Sequence, residues 1–292
     1  MPSLKQIKRR IGSVNNTKQI TRAMKMVSAA KLRRAQEQMM AARPYSDSLR
    51  ELIRDLAART DRNKHPLLAE REPKHVGVVV ITSDRGLAGG FNMNVNRRAL
   101  KVIKEMEQEA EDVRLIAVGR NSYNFFRKLD YDFIQHHIGL SKDFTFGKVL
   151  SIGDAIRTEY EKGFVVENGL DRVYLVYNEF KNVIQQDIVV EQLLPIIPEL
   201  KSDEKYPVDY LYEPSEQGLL DSILPRYANV MLWRVLLESF AAEHAARMNA
   251  MENATKNAGE LIDSLTLQYN KARQAAITNE ILEVVAGAEG LE

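Results

Sequence analysis

Ala241-Ala-Glu-His-Ala-Ala-Arg-Met-Asn-Ala-Met-Glu-Asn-Ala-Thr-Lys-Asn-Ala-Gly-Glu-Leu-Ile-Asp-Ser-Leu265 is the stretch on which the fold turns. Ala241, Met248, Thr255 and Ile262 recur every seven residues, and Tyr269 and Ala276 continue the series. His244, Met251, Ala258, Leu265 and Ala272 fill the alternate seam position. Two such positions per heptad predict a coiled-coil seam. From Arg226 to Ala286 there is no proline and one glycine, Gly259. A helix over that span is about 90 Å long at about 1.5 Å per residue. Such a helix cannot be buried inside its own domain, so its seam needs a partner helix.

Working outward, the other chain end is the nearest candidate partner. Apolar residues fall at Ile7, Ile11 and Val14, then at Ile20, Met24 and Val27, then at Leu32, Ala35, Met39 and Ala42. Each group has helical spacing. The phase shifts between groups, so no strict heptad is expected. Ser3 is placed to cap the helix N-terminus. Pro44 is expected to end or kink it, because Arg43 before it is pushed out of the helical region. A second helical stretch runs from Tyr45 to Ala58, with Leu49, Leu52, Ile53 and Leu56 at helical spacing. In the C-terminal part, Pro214 suits the first turn of a helix.

The middle of the chain changes character. Val76-Gly-Val-Val-Val-Ile-Thr82, Val113–Val118, Val173–Tyr177 and Ile184–Val190 are short β-rich runs. His136 and His137 sit on a further strand and point to opposite faces, which makes them poor joint metal ligands. Helical patterns at Val95–Glu107, Arg120–Lys128 and Phe146–Tyr160 alternate with the strands. Alternation of this kind predicts a mostly parallel sheet covered by helices. The expected fold is therefore α/β: a long antiparallel coiled coil of the N- and C-terminal helices, with an inserted Rossmann-like α/β domain. The expected parts are residues 1–59, 74–197 and 206–292.

Composition bounds the function. The 292 residues carry a net charge of +1 and no cysteine, which excludes disulfides, thiolate metal sites and thiol-based regulation. No apolar run approaches the roughly 20 residues that span a bilayer. The basic start, Met1–Arg10, lacks the apolar core of a secretory signal. The neutral total hides an asymmetry. Between Met1 and Arg43 there are eleven basic side chains and one acid, Glu37, so this block carries +10 and the remainder −9. A one-signed segment of that size expects an acidic partner.

Three strings carry a resemblance. They are Ile11-Gly-Ser-Val-Asn-Asn-Thr-Lys-Gln-Ile-Thr-Arg-Ala-Met-Lys-Met-Val-Ser-Ala-Ala-Lys31, Thr82-Ser-Asp-Arg-Gly-Leu-Ala-Gly-Gly-Phe-Asn92, and Arg247–Ala258 followed by Tyr269–Glu280. With the helix–α/β–helix order, the chain resembles the bacterial gamma-subunit family of F-type ATP synthases. Ala88 departs from the family pattern, where many members carry cysteine. The resemblance implies the central rotary shaft of a proton-translocating ATP synthase, a non-catalytic subunit with no cofactor. It implies partners: three alpha and three beta subunits, the epsilon subunit and the membrane c-ring. It places the chain peripherally, on the cytoplasmic face of the bacterial membrane.

The resemblance also assigns residues. Arg273, Gln274 and Thr278 match polar contacts to a loop of beta. Lys8, Arg9, Arg10, Lys18, Arg22 and Lys25 would face acidic beta segments, with Met24 beside them. Lys18, Arg22 and Lys25 share one helix face. Asp209, Tyr210, Tyr212 and Glu213 match the base of the shaft, near epsilon and the c-ring. Asp84-Arg-Gly-Leu-Ala-Gly-Gly90 occupies the place of a phosphate cradle, between strand and helix. It lacks the Lys-Ser/Thr of a P-loop and the dinucleotide spacing, so it is read as a structural turn. The alternative readings are a nucleic-acid-binding protein using the basic N-terminal helix, and an enzyme built on the α/β domain.

Overall fold

The computed structural model describes residues 3–57, 61–142, 144–166, 168–197 and 215–289. It divides into two compact units, Met1–Ser28 with Arg247–Glu292, and Ala29–Ala246.

In the larger unit a β-rich run recurs between helices, as the sequence predicts. The strands are β1 (His75–Ile81), β2 (Asp112–Val118), β3 (Phe133–His137), β4 (Arg172–Phe180) and β5 (Gln186–Leu194). Their order in the sheet is β3-β2-β1-β4-β5. β1 through β4 run parallel, and β5 lies antiparallel to β4. Val76, Val78 and Val80 face one side, over α2 (Phe91–Met106) and α3 (Arg120–Arg127). Val79 and Ile81 face the other, over α4 (Phe146–Lys162). That second layer also holds Ile53 and Leu56 of α1 (Leu4–Ala57), and Leu220, Leu224, Leu232 and Leu236 of α5 (Glu216–Glu289). Both faces are covered, which is why β1 reads as a continuous β-branched run rather than an alternating one.

Three expectations need correction. α1 is continuous through Pro44, so the proline does not end the helix. It forfeits one backbone bond, but Met39, Ser46, Leu49 and Ile53 on either side are buried, and their packing holds the turn. The run read as a strand from Ile184 begins at Gln186, because Ile184 N is taken up by Asn182 Oδ1 in the preceding turn. Third, the α1 seam is a strict heptad. Ile7, Ile11, Val14, Lys18, Thr21, Lys25, Ser28, Leu32, Ala35 and Met39 are buried or half-buried and spaced by four and three in alternation, with Met24, Ala29 and Gln36 half-buried beside them. Ile20 and Val27, read as seam residues, are 60% and 57% exposed. The shift arises because polar and cationic side chains occupy the seam between Lys18 and Ser28.

The smaller unit pairs the start of α1 with the end of α5. Ser3 Oγ accepts from Gln6 N at 3.3 Å, and Ser3 N donates to Gln6 Oε1 at 3.0 Å. This reciprocal cap is worth about 1 kcal/mol. The Thr21 and Thr255 hydroxyls lie 2.7 Å apart, and Lys25 Nζ lies 2.7 Å from Glu252 Oε1. Residue numbers rise on one helix as they fall on the other, so the pair is antiparallel. Gly259 lets Lys18 close over the helix: a Cβ there would stand 3.3 Å from Lys18 Nζ. Met251, Ala258 and Leu265 are buried at the seam positions read from the heptads.

One pH response follows in the larger unit. His65 Nδ1 accepts from Leu67 N at 3.1 Å, and its Nε2 lies 3.3 Å from Asp221 Oδ1. Burial lowers the His65 pKa from 6.5, against the opposing pull of Asp221 and Glu161. A depressed histidine stabilises the fold above its unfolded value, and that contribution is lost as pH falls through the folded value. Thermal melts should therefore fall as pH drops below 6.5, and less steeply in His65→Gln. Parallel pH profiles for the two proteins would refute the assignment.

Candidate functional site

The end of the sheet where β1 and β4 diverge is the first place to look for a ligand. β1 leads through α2 to β2 on one side, while β3 leads through α4 to β4 on the other. Ligands in open α/β sheets bind at such a switch point. Here the crevice is filled. Ala88 and Phe91 are buried against Ala242 of α5, with Phe180 and Ala246 packed around them. Both Asp84 oxygens are engaged: Oδ1 accepts from Arg120 N at 3.1 Å and Oδ2 from Gly139 N at 3.0 Å. Ser83 N donates to Asn92 Oδ1 at 2.9 Å. The loop is a structural turn that joins the ends of β1, β2 and β3 and seats α5.

His136 is exposed and stacks on Tyr123, with ring centroids 4.4 Å apart. His137 lies on the opposite side, and its pKa is lowered by burial and then by His136. Among the described residues no helix is long and apolar enough to cross a membrane.

The chemistry-bearing positions of the smaller unit divide into two sets. Lys8, Arg9, Arg10 and Arg22 are exposed, whereas Lys18, Met24 and Lys25 are half-buried. Lys25 faces Glu252 and Lys18 flanks Gly259. The face shared by Lys18, Arg22 and Lys25 is thus split: two of the three turn toward α5, and only Arg22 is fully presented outward. A solvent-accessible pair such as Lys25–Glu252 contributes about 0.2–1 kcal/mol, so it chiefly sets local register.

On α5, Arg273, Gln274 and Thr278 are exposed. Thr278 Oγ1 donates to the Gln274 carbonyl at 2.9 Å. Sequence reasoning missed what lies beside them. Ile277 and Ile281 are also exposed, one helical turn apart. Ile20, Met26, Val27, Leu261, Leu267 and Leu282 complete a set of large apolar side chains facing outward from this unit. For the α5 residues the available signal was their position outside the seam, where a solvated helix carries polar residues; Ile20 and Val27 gave none, because they were read as seam residues. Asp209, Tyr210, Tyr212 and Glu213 lie outside the described residues.

The family model described as ATP synthase matches residues 3–291. The chain is 48% identical over 292 residues to the ATP synthase gamma chain of Pelotomaculum thermopropionicum, covering all of both chains. It is 47% identical over 297 residues to that of Geobacter metallireducens, again covering both chains fully. Its fold is similar to a chain of the Euglena gracilis mitochondrial ATP synthase OSCP/F1/c-ring structure. The TM-score is 0.70 at 21% identity, over 99% of this chain and 94% of that one. A chain of the Tetrahymena thermophila mitochondrial ATP synthase central stalk/c-ring structure matches with TM-score 0.60 at 24% identity, over 80% of this chain and 99% of that one.

Proposed function

This chain belongs to the ATP synthase gamma-chain family, and from that premise we propose that it is the rotary shaft coupling ion flow through a membrane c-ring to conformational change at catalytic beta subunits. It is a non-catalytic subunit. The observation that carries the reading is the smaller unit: two antiparallel terminal helices that still expose Ile20, Met26, Val27, Leu261, Leu267, Ile277, Ile281 and Leu282. Covering apolar surface is favourable by about 25 cal/mol per Å2, so such a surface calls for enclosure by other chains.

Within that role, three alpha and three beta subunits surround the helix pair. Arg273, Gln274 and Thr278 contact beta, with Ile277 and Ile281 giving an apolar footing between them. Lys8, Arg9 and Arg22 face acidic beta segments, and Lys18, Met24 and Lys25 support that face from the seam. Asp209, Tyr210, Tyr212 and Glu213 serve epsilon and the c-ring. Residues 1–59, 74–197 and 206–292 are the working parts. The chain acts peripherally, on the cytoplasmic face of the membrane. Rotation works by conformational coupling: the shaft angle sets which beta conformation is the more stable at each site. The nucleic-acid reading lacks support, because the family model and the relatives that match over the full chain are those of ATP synthase gamma chains.

The test is co-assembly. The triple variant Arg273→Ala, Gln274→Ala, Thr278→Ala removes only exposed groups, so its stability should change by no more than the small amount of surface substitutions, about 0.5 kcal/mol each. Its ATP-driven ion transport, reconstituted with alpha, beta, epsilon and the c-ring, should fall severalfold per assembled complex. Unchanged transport would remove these residues from the contact. Failure of the unaltered chain to co-purify with alpha and beta would remove the shaft.

A further inference from the structure

A rotating load must pass between the sheet and α5 without the helix sliding on the sheet. Much of that interface is apolar: Met231, Leu232, Val235 and Leu236 of α5 belong to the cluster that holds Leu175, Tyr177 and Leu193. Apolar contact is non-directional, so it resists separation more than a shift along the helix axis. On one flank the packing is also incomplete. A cavity of about 670 Å3 opens between α1, the β4–β5 face and α5, with Arg50, Arg54, Tyr227 and Arg234 on its wall.

Across that flank stands a directional connection. Arg234 Nη2 donates to both Glu191 oxygens, Oε1 and Oε2, at 2.8 Å each. Arg234 Nη1 donates to Glu238 Oε1 at 3.1 Å, one turn along α5. The Tyr177 hydroxyl donates to Glu191 Oε2 at 2.8 Å, fixing that carboxylate from β4. The Arg234 side chain is 16% exposed and that of Glu238 9%. None of these residues is marked by a sequence motif.

We propose that Arg234 and Glu191, held by Tyr177 and Glu238, form the joint that locks α5 to the sheet against axial slip under rotary load; this rests on the shaft reading above. A slip of one helical turn, about 5.4 Å, brings residue 230 or residue 238 to the place of Arg234. In one direction Val230 would leave Glu191 without its cation. In the other Glu238 would meet Glu191, carboxylate against carboxylate. Either state is penalised, because a buried charge that loses its partner costs far more than the pair contributes. The joint therefore adds a charge-specific penalty for a wrong register to the packing of the leucines and valines around it. Arg234 stays charged throughout, since Glu191 and Glu238 push its pKa further up against the opposing effect of burial.

The measurement is ions transported per ATP hydrolysed, in vesicles carrying the reconstituted enzyme, with and without an opposing ion gradient. The neutral triple variant Arg234→Met, Glu191→Gln, Glu238→Gln keeps the Tyr177 acceptor and buries no unpaired charge. It should stay folded with a lowered melting temperature, since the two amides lose the Arg234 partner but no charge is left buried and unpaired. ATP hydrolysis should persist while the transport ratio falls severalfold, most under the opposing gradient. Arg234→Lys, which retains the charge, should recover most of the ratio. A stable triple variant with the native ratio under load overturns the joint and leaves the shaft intact. Absence of any chain-dependent coupling with the unaltered chain overturns the shaft reading itself. If the triple variant does not assemble, Glu191→Gln alone decides by the same ratio: a fall supports the joint and a native value overturns it.

Discussion

Leu265→Asp should unpair the terminal helices. Leu265 is 4% exposed at a seam position of α5. The antiparallel register that joins Thr21 to Thr255 puts it at the level of Ile11. Truncating a buried leucine costs about 2–5 kcal/mol, and aspartate adds an unpaired charge to the loss. The seam has little reserve, because its nearer neighbours are small or polar: Thr255, Ala258 and Gly259. The larger unit should survive. Its reporter is Trp233, the one tryptophan, which stacks on Phe144 with centroids 4.3 Å apart. Far-ultraviolet circular dichroism should lose helix signal while Trp233 fluorescence and near-ultraviolet dichroism stay native. The variant should not co-assemble with alpha and beta subunits. Retained helix signal and normal assembly would mean that the seam does not hold the pair.

Gly119→Ala should stop the larger unit from folding. Gly119 joins β2 to α3 with φ of +97°, a conformation that side chains rarely adopt. A Cβ built there would stand 2.2 Å from the Thr82 carbonyl oxygen, which is backbone and cannot swing away. The position is further tied by Gly119 N donating to the His137 carbonyl at 2.8 Å. Strain of this type alone costs about 1–3 kcal/mol, and the clash must displace β1 or β2 as well. The expected result is insoluble protein, or a soluble chain without native near-ultraviolet signal from Trp233. A variant whose unfolding free energy lies within about 1 kcal/mol of the native chain's would show that β1 and β2 can part there at little cost.

The α/β unit was legible because its elements announce themselves locally. Val76–Ile81, Val113–Val118 and Val173–Tyr177 are too β-branched and too apolar for anything but buried strands, and each falls within an observed strand. The α5 seam was legible for the same reason, since Met251, Ala258 and Leu265 recur every seven residues and are buried. The α1 seam was not. Lys18, Thr21, Lys25 and Ser28 occupy it, and a reading based on apolarity steps over them to Ile20 and Val27. Those side chains are acceptable in the seam because Thr255, Glu252 and Gly259 stand opposite, and only the pairing of helices more than 200 residues apart in sequence reveals that. Pro44 misled for a related reason: its local cost is real, and the burial of Ser46, Leu49 and Ile53 outweighs it.

By itself the amino-acid order determined the kinds of element, the helix–α/β–helix sequence and the need of the terminal helices for a partner. These follow from periodicity and residue shape, which act within a few turns of chain. The tertiary structure alone decided which α1 residues meet α5, that the switch-point crevice is filled by Ala242, and that Arg234 reaches Glu191. Those outcomes depend on distances between segments remote in sequence, where burial and charge pairing override local preference.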